Sequence, residues 1–149
     1  MEKAEYYEKA AQYIIDANEE AAVDLSKKYL DEGLEPTEMI EKGLSEGIRK
    51  LGDLFDRGEV FLPHLIIASE AMTASVKVLE QALPADQVGK KLAKVVLGTV
   101  EGDVHDIGKG IVATMLRVYG FEVIDLGRDV PIATFVEKAK EADADVVGS

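Results

Sequence analysis

Through the first half of the chain, apolar residues return every three or four positions. Tyr7, Ala11, Ile14 and Ile15 share one helical face, Ala22, Leu25 and Tyr29 continue the period, and Gly33 supplies a stop. Pro36 suits a first helical position, and the stripe Ile40, Leu44, Ile48, Leu51 and Phe55 predicts a helix that ends at Asp56-Arg57-Gly58. Pro63 opens another, with Leu65, Ile66, Met72, Val76 and Leu79 facing inward. Four amphipathic helices on short loops predict a four-helix bundle over residues 1–86.

Near Leu83-Pro84-Ala85-Asp86-Gln87 the composition turns polar, as in a linker, and the period then changes. Ala93 to Val100 is a continuous apolar run of the buried parallel-strand type. Ile107 to Tyr119 is helical, with Gly120 placed as its C′ residue. Phe121 to Leu126 reads as a second strand, Pro131 starts another helix, and Asp145 to Gly148 reads as a third strand. Strand–helix–strand–helix–strand with short connections predicts an α/β Rossmann-like (flavodoxin-like) parallel sheet over residues 87–149. Such doubly wound domains commonly have about five strands. The expectation is therefore of a domain truncated after its third strand, with one face of the sheet poorly covered.

Composition narrows the chemistry. The chain has no cysteine, which removes disulfides, thiolate catalysis and zinc–thiolate sites together. A net charge of −12 argues against nucleic acid or an anionic membrane as partner. No run approaches the roughly 18 uninterrupted apolar residues of a membrane span, and the N-terminus lacks the apolar stretch of a signal peptide. A cytoplasmic protein is expected.

Ligands of open parallel sheets bind at the carboxyl ends of the strands. The loop after the first predicted strand, Glu101-Gly102-Asp103-Val104-His105-Asp106-Ile107-Gly108, puts a histidine, acids and two glycines at that edge. Gly102 and Gly108 would let a bulky planar ligand approach the backbone. Asp103 precedes His105 by two residues, so its carboxylate could accept the Nδ1 proton and leave Nε2 free to ligate; it could instead cap the following helix. Only His64 and His105 are available, and His64 is expected to be structural or exposed. A metal already held in a macrocycle needs a single axial ligand from protein, which suits this inventory better than a bare transition-metal ion.

The segment Gly102-Asp103-Val104-His105-Asp106-Ile107-Gly108 resembles the D-x-H-x-x-G signature of base-off, His-on cobalamin-binding proteins. The likeness continues through Val123-Ile124-Asp125-Leu126-Gly127 to Val130-Pro131, and upstream through Gly52-Asp53-Leu54-Phe55, Gly58 and Phe61-Leu62-Pro63. The whole is similar to the cobalamin-binding region of cobalamin-dependent methionine synthase and to the corrinoid proteins of methyltransferase systems. That resemblance implies cobalamin (methylcobalamin, cobalt) as cofactor, with His105 as metal ligand and Asp103 orienting it. It implies that Gly102, Val104, Asp106 and Gly108 contact the corrin or shape its entry. In the helical cap, Phe55 and Leu62 would shield the methyl-bearing face, and Glu41 would be a polar position near the corrin. The protein would be a non-catalytic carrier subunit that passes a methyl group between a substrate-specific methyltransferase and a second, acceptor methyltransferase.

Two other readings use the same residues. A cobalamin-dependent sensor shares the signature but is normally joined to a DNA-binding domain, for which the charge is wrong. Gly108-Lys109-Gly110-Ile111-Val112-Ala113 matches G-x-G-x-x-A with Asp125 at the ribose-binding position, the pattern of a dinucleotide-binding module. Its glycines are expected inside the helix rather than in the strand-to-helix turn.

Overall fold

A computed structural model describes residues 1–83 and 91–149. The chain divides into two compact units, Met1–Gly89 and Lys90–Ser149. Pro84 to Gln87 of the expected linker, and with them the boundary expected at residues 86 and 87, lie outside the described residues.

The first unit is helical. Helix α1 spans Lys3–Ile15 and α2 spans Glu19–Asp31, the latter capped by Asn18, whose side chain accepts the Ala21 N–H. After Pro36 the chain makes α3 (Pro36–Met39), a π-helical turn (Ile40–Leu44) and α4 (Ser45–Asp56), followed by α5 (Leu62–Glu80). The single helix expected from Pro36 through the Ile40-to-Phe55 stripe is thus three segments, and among the described residues the unit has six helical segments where four helices were expected. Backbone angles stay helical through both junctions, so the π-turn is a bulge in a continuing rod. Gly43 within it and Gly47 after it lie against α1, where an added Cβ at Gly47 would lie 2.6 Å from the Ala11 carbonyl oxygen. Tyr6, Ile14, Tyr29, Met39, Leu44, Leu51, Leu65 and Leu79 are buried in this unit.

By length and composition α5 could cross a membrane, yet Leu65, Ala68, Ala71, Ser75 and Leu79 form a buried stripe along it. Ile66, expected on that face, is exposed. Because α5 is apolar on most sides, its sequence alone does not single out the core-facing stripe.

The second unit has strands β1 (Lys94–Leu97), β2 (Glu122–Asp125) and β3 (Val146–Gly148) in the order β2-β1-β3, all parallel. Lys94 to Leu97 pairs in register with Glu122 to Asp125, and Val95 with Val146 on the other side. Alternation along β1 sends Val95 and Leu97 into a cluster with Ala113 of α6 (Ile107–Val118). Val96 goes to the other face, with Val130 and Phe135 of α7 (Ile132–Ala142). Both faces of the central strand are therefore covered, while Val146 and Val147 of β3 are half exposed. Gly120, at φ +91°, follows α6 as the C′ residue the sequence predicts.

Candidate functional site

The chain leaves β1 through Gly98 and buried Thr99. At Gly98 the Phe135 ring packs within 2.8 Å of where a Cβ would stand, so α7 braces the base of the following loop. A turn then closes with the Asp103 N–H donating to the Val100 carbonyl at 3.0 Å, and Gly102 takes φ +85° inside it.

Asp103 Oδ1 next accepts two hydrogen bonds from one residue: the His105 backbone N–H at 2.9 Å and the His105 ring Nδ1–H at 2.6 Å. These bonds, the backbone one foremost and the ring second, hold the Asp103 carboxyl below its ordinary value. An ionised carboxylate at Nδ1 fixes the proton there and leaves the lone pair on Nε2. The imidazole is 94% exposed, and Nε2 has no hydrogen-bond partner among the described residues. Asp103 does not cap the next helix; the N-cap of α6 is Asp106, without a side-chain cap bond.

The pair borders a hollow of about 360 Å³ lined among others by Thr99, Val100, Asp103, His105, Lys109 and Val112. Apolar side chains stand out beside it, with Val104 65% and Ile107 82% exposed. A Cβ added at Gly102 or Gly108 would meet nothing within 4 Å. Asp106 is exposed, 3.9 Å from Arg128. The arrangement is one free imidazole nitrogen, apolar edges and open backbone. No group of three or more His, Asp or Glu side chains converges among the described residues. This donor set fits a metal carried in a flat macrocycle and lacks the several ligands that a bare ion needs.

Residues that the sequence reading passed over hold this loop in place. The Thr99 hydroxyl donates to the His105 carbonyl at 2.6 Å. Lys109 pairs with Asp125 at the end of β2 and also donates to the Gly127 carbonyl at 3.2 Å. Burial works against ionisation of Asp125, but the Lys109 ammonium and the Gly127 N–H outweigh it and lower its pKa. Asp129 accepts the Gly102 N–H at 2.7 Å. In the sequence, Lys109 figured in the dinucleotide pattern, and Asp125 both there and in the cobalamin-binding resemblance, neither with a role in holding the loop. Gly108 and Gly110 of that pattern lie within α6 and do not form the strand-to-helix turn.

In the helical unit, Glu41 is exposed on the π-turn, a backbone feature frequent at functional sites. Phe55, on the last turn of α4, and Leu62, the first residue of α5, are half-buried. His64 is structural: its Nε2 lies 2.6 Å from the Ile15 carbonyl oxygen. A separate hollow of about 580 Å³ is lined by Ile15, Leu54 and two charges of each sign (Lys50, Arg57, Asp53, Asp56), and none of the expected site residues lines it.

Two family descriptions, each given as B12 binding domain, match residues 6–80 and 93–149. Dimethylamine corrinoid protein 2 of Methanosarcina acetivorans is 58% identical over 128 residues, covering 86% of this chain and 57% of that protein. The dimethylamine corrinoid protein of Methanosarcina barkeri is 51% identical over 148 residues, covering 99% of this chain and 69% of that protein. The crystal structure of the methanol:cobalamin methyltransferase complex from Methanosarcina barkeri superposes with a TM-score of 0.89 at 30% identity, covering 99% of this chain and 57% of that one. The chain thus spans less than two thirds of the length of the first of these relatives.

Proposed function

The chain belongs to the B12-binding domain family, and on that premise we propose that it is a corrinoid methyl carrier with His105 as its cobalt ligand. Bound cobalamin supplies a cobalt centre that can accept a methyl group and release it. His105 Nε2 would be the protein nitrogen that holds that centre. Asp103 holds the proton on Nδ1 and so would keep the Nε2 lone pair available to the metal. Gly102 and Gly108 leave room for the corrin edge, and Val104 and Asp106 border it. In the same reading Phe55, Leu62 and Glu41 are the helical unit's contribution, two apolar groups that exclude water and one polar contact.

The carrier does no turnover alone. It receives the methyl group from a substrate-specific methyltransferase, and the names of the relatives point to a methylated amine as the donor. It delivers the group to a second, acceptor methyltransferase, without nucleic acid or membrane, in the cytoplasm. The buried stripe on α5 supports a core role for that helix.

One observation carries the proposal: the 2.6 Å bond from Nδ1 to Asp103, beside an exposed Nε2 with no partner among the described residues. An ultraviolet–visible titration with hydroxocobalamin tests it. Binding with displacement of the cofactor's own base, and loss of axial nitrogen coordination in His105→Ala, is the expected result. Coordination that survives in His105→Ala would remove His105 from the site.

A further inference from the structure

The loop that bears His105 is gripped from the side by a second loop, which joins β2 to α7. Asp129 stands at its centre with φ +51°, in the left-handed region that asparagine and aspartate tolerate better than most residues. From that position it touches the His105 loop twice. Its carboxylate Oδ1 accepts the Gly102 N–H at 2.7 Å, and its own N–H donates to the Asp103 carbonyl at 3.0 Å. Flanking bonds fix the loop itself: the Thr99 N–H donates to Gly127 and the Val130 N–H to Thr99, each at 2.9 Å. Val100 and Val130 also form a parallel bridge.

The two Asp129 bonds bracket one peptide run. They fix the backbone immediately before and at Asp103, the residue whose side chain sets the His105 ring. Rotation about the Gly102–Asp103 backbone would move the carboxylate and carry the imidazole with it. Gly102 at φ +85° is the residue least able to resist that rotation unaided. We propose that Asp129 is a positioning residue for the axial ligand: through its bonds to Gly102 and Asp103 it holds the Asp103–His105 pair in the ligating orientation. The inference rests on the proposed role of His105 and adds a residue 27 positions from Gly102 in sequence.

The left-handed backbone makes the test discriminating. Asparagine keeps both the tolerated φ and an oxygen acceptor. Glycine keeps the φ and loses the acceptor. Alanine loses the acceptor and strains the backbone. Two readouts apply. In the cofactor-free protein, hydrogen exchange of the Gly102 amide, followed by NMR, reports the carboxylate bond directly. In protein loaded with cobalamin and reduced to the cobalt(II) state, the nitrogen splitting in the electron paramagnetic resonance spectrum reports axial imidazole.

In Asp129→Gly and Asp129→Ala, Gly102 should exchange faster, and the ratio of imidazole-bound to imidazole-free cobalt should fall about tenfold, the scale of one charge-assisted hydrogen bond at an exposed site. Asp129→Asn should stay near wild type in both. If glycine and alanine leave the nitrogen splitting at the wild-type level, the positioning role is wrong, even where Gly102 exchange has changed. A wild-type spectrum without nitrogen splitting would sink the role of His105, and this inference with it. An effect seen in Asp129→Ala but absent in Asp129→Gly would place it in backbone strain and overturn the role of the carboxylate.

Discussion

In the helical unit, a Cβ added at Gly47 would stand 2.6 Å from the Ala11 carbonyl oxygen, and one at Gly43 would stand 3.0 Å from the Ala10 Cβ. In the α/β unit, one added at Gly108 or Gly110 would meet nothing within 4 Å. The same residue type closes the contact between α1 and the rod from Pro36 and leaves the start of α6 open. Where backbones touch, as α1 and the rod from Pro36 do, glycine permits packing at interior density. Open glycines on the first turns of α6 forgo helix propensity without any gain in packing. That concession makes sense where space beside the loop is reserved for a ligand. On the proposed function, substitutions at the α1–rod contact should act on stability and those at the β1–α6 loop on cofactor binding.

The largest effect is expected at His105. His105→Ala should abolish axial nitrogen coordination outright, as read by the cobalt(II) spectrum. It should shift unfolding by no more than about 0.5 kcal/mol, the usual scale for an exposed side chain away from the core. Leu51→Ala should do the reverse. Leu51 is 1% exposed, and its truncation should cost about 3 kcal/mol in urea unfolding. The His105 spectrum of the loaded protein should remain intact. A coordination change in Leu51→Ala would show that the two roles are not separable.

The glycine comparison sharpens the point with one substitution made twice. Gly47→Ala should destabilise by about 2 kcal/mol, because overpacking against rigid backbone exceeds the helix-propensity gain. Gly110→Ala, in open space within α6, should stabilise the cofactor-free protein by about 0.5–1 kcal/mol. Gly108→Ala should likewise leave the cofactor-free protein no less stable, yet weaken hydroxocobalamin binding. Unchanged binding in Gly108→Ala would mean that its openness has no functional meaning.

The change of period from helix to strand was readable because burial imposes it residue by residue: the Val95, Val96, Leu97 run and the Ile107–Val118 helix lie where the pattern puts them. The π-turn at Ile40–Leu44 was not readable, since it arises where the rod packs on α1 and leaves no local mark on the apolar stripe. Ile66 was misplaced for a related reason, because α5 offers apolar residues on several faces and tertiary contact chooses among them. At the site, Asp103 and His105 were legible because they lie two residues apart and act locally. Thr99 and Asp129 were not. Their bonds to the loop span 6 and 27 residues, and the Asp129 bond joins segments that the pairing of β1 with β2 brings together.

The smallest effect expected is electrostatic, and it belongs to the helical unit alone. Glu38 accepts hydrogen bonds from Lys3 at 2.6 Å, Lys42 at 2.8 Å and Tyr7 at 3.1 Å. Together, with Lys3 the strongest, they pull its carboxyl from an ordinary 4.5 down to about 2. A carboxylate whose pKa is lower folded than unfolded binds fewer protons in the native state. Its contribution is present above the unfolded value and fades as pH falls from 4.5 through about 2. Glu38 is solvent-accessible, so the contribution is screened and should shrink further in salt. Glu38→Gln should lower the unfolding midpoint slightly above about pH 4.5 and flatten its acid limb across that window. Hydroxocobalamin binding at neutral pH should not respond. Parallel acid limbs for wild type and Glu38→Gln would place the acid sensitivity elsewhere, and a loss of binding would tie this polar cluster to the chemistry that the comparison assigns to the other unit.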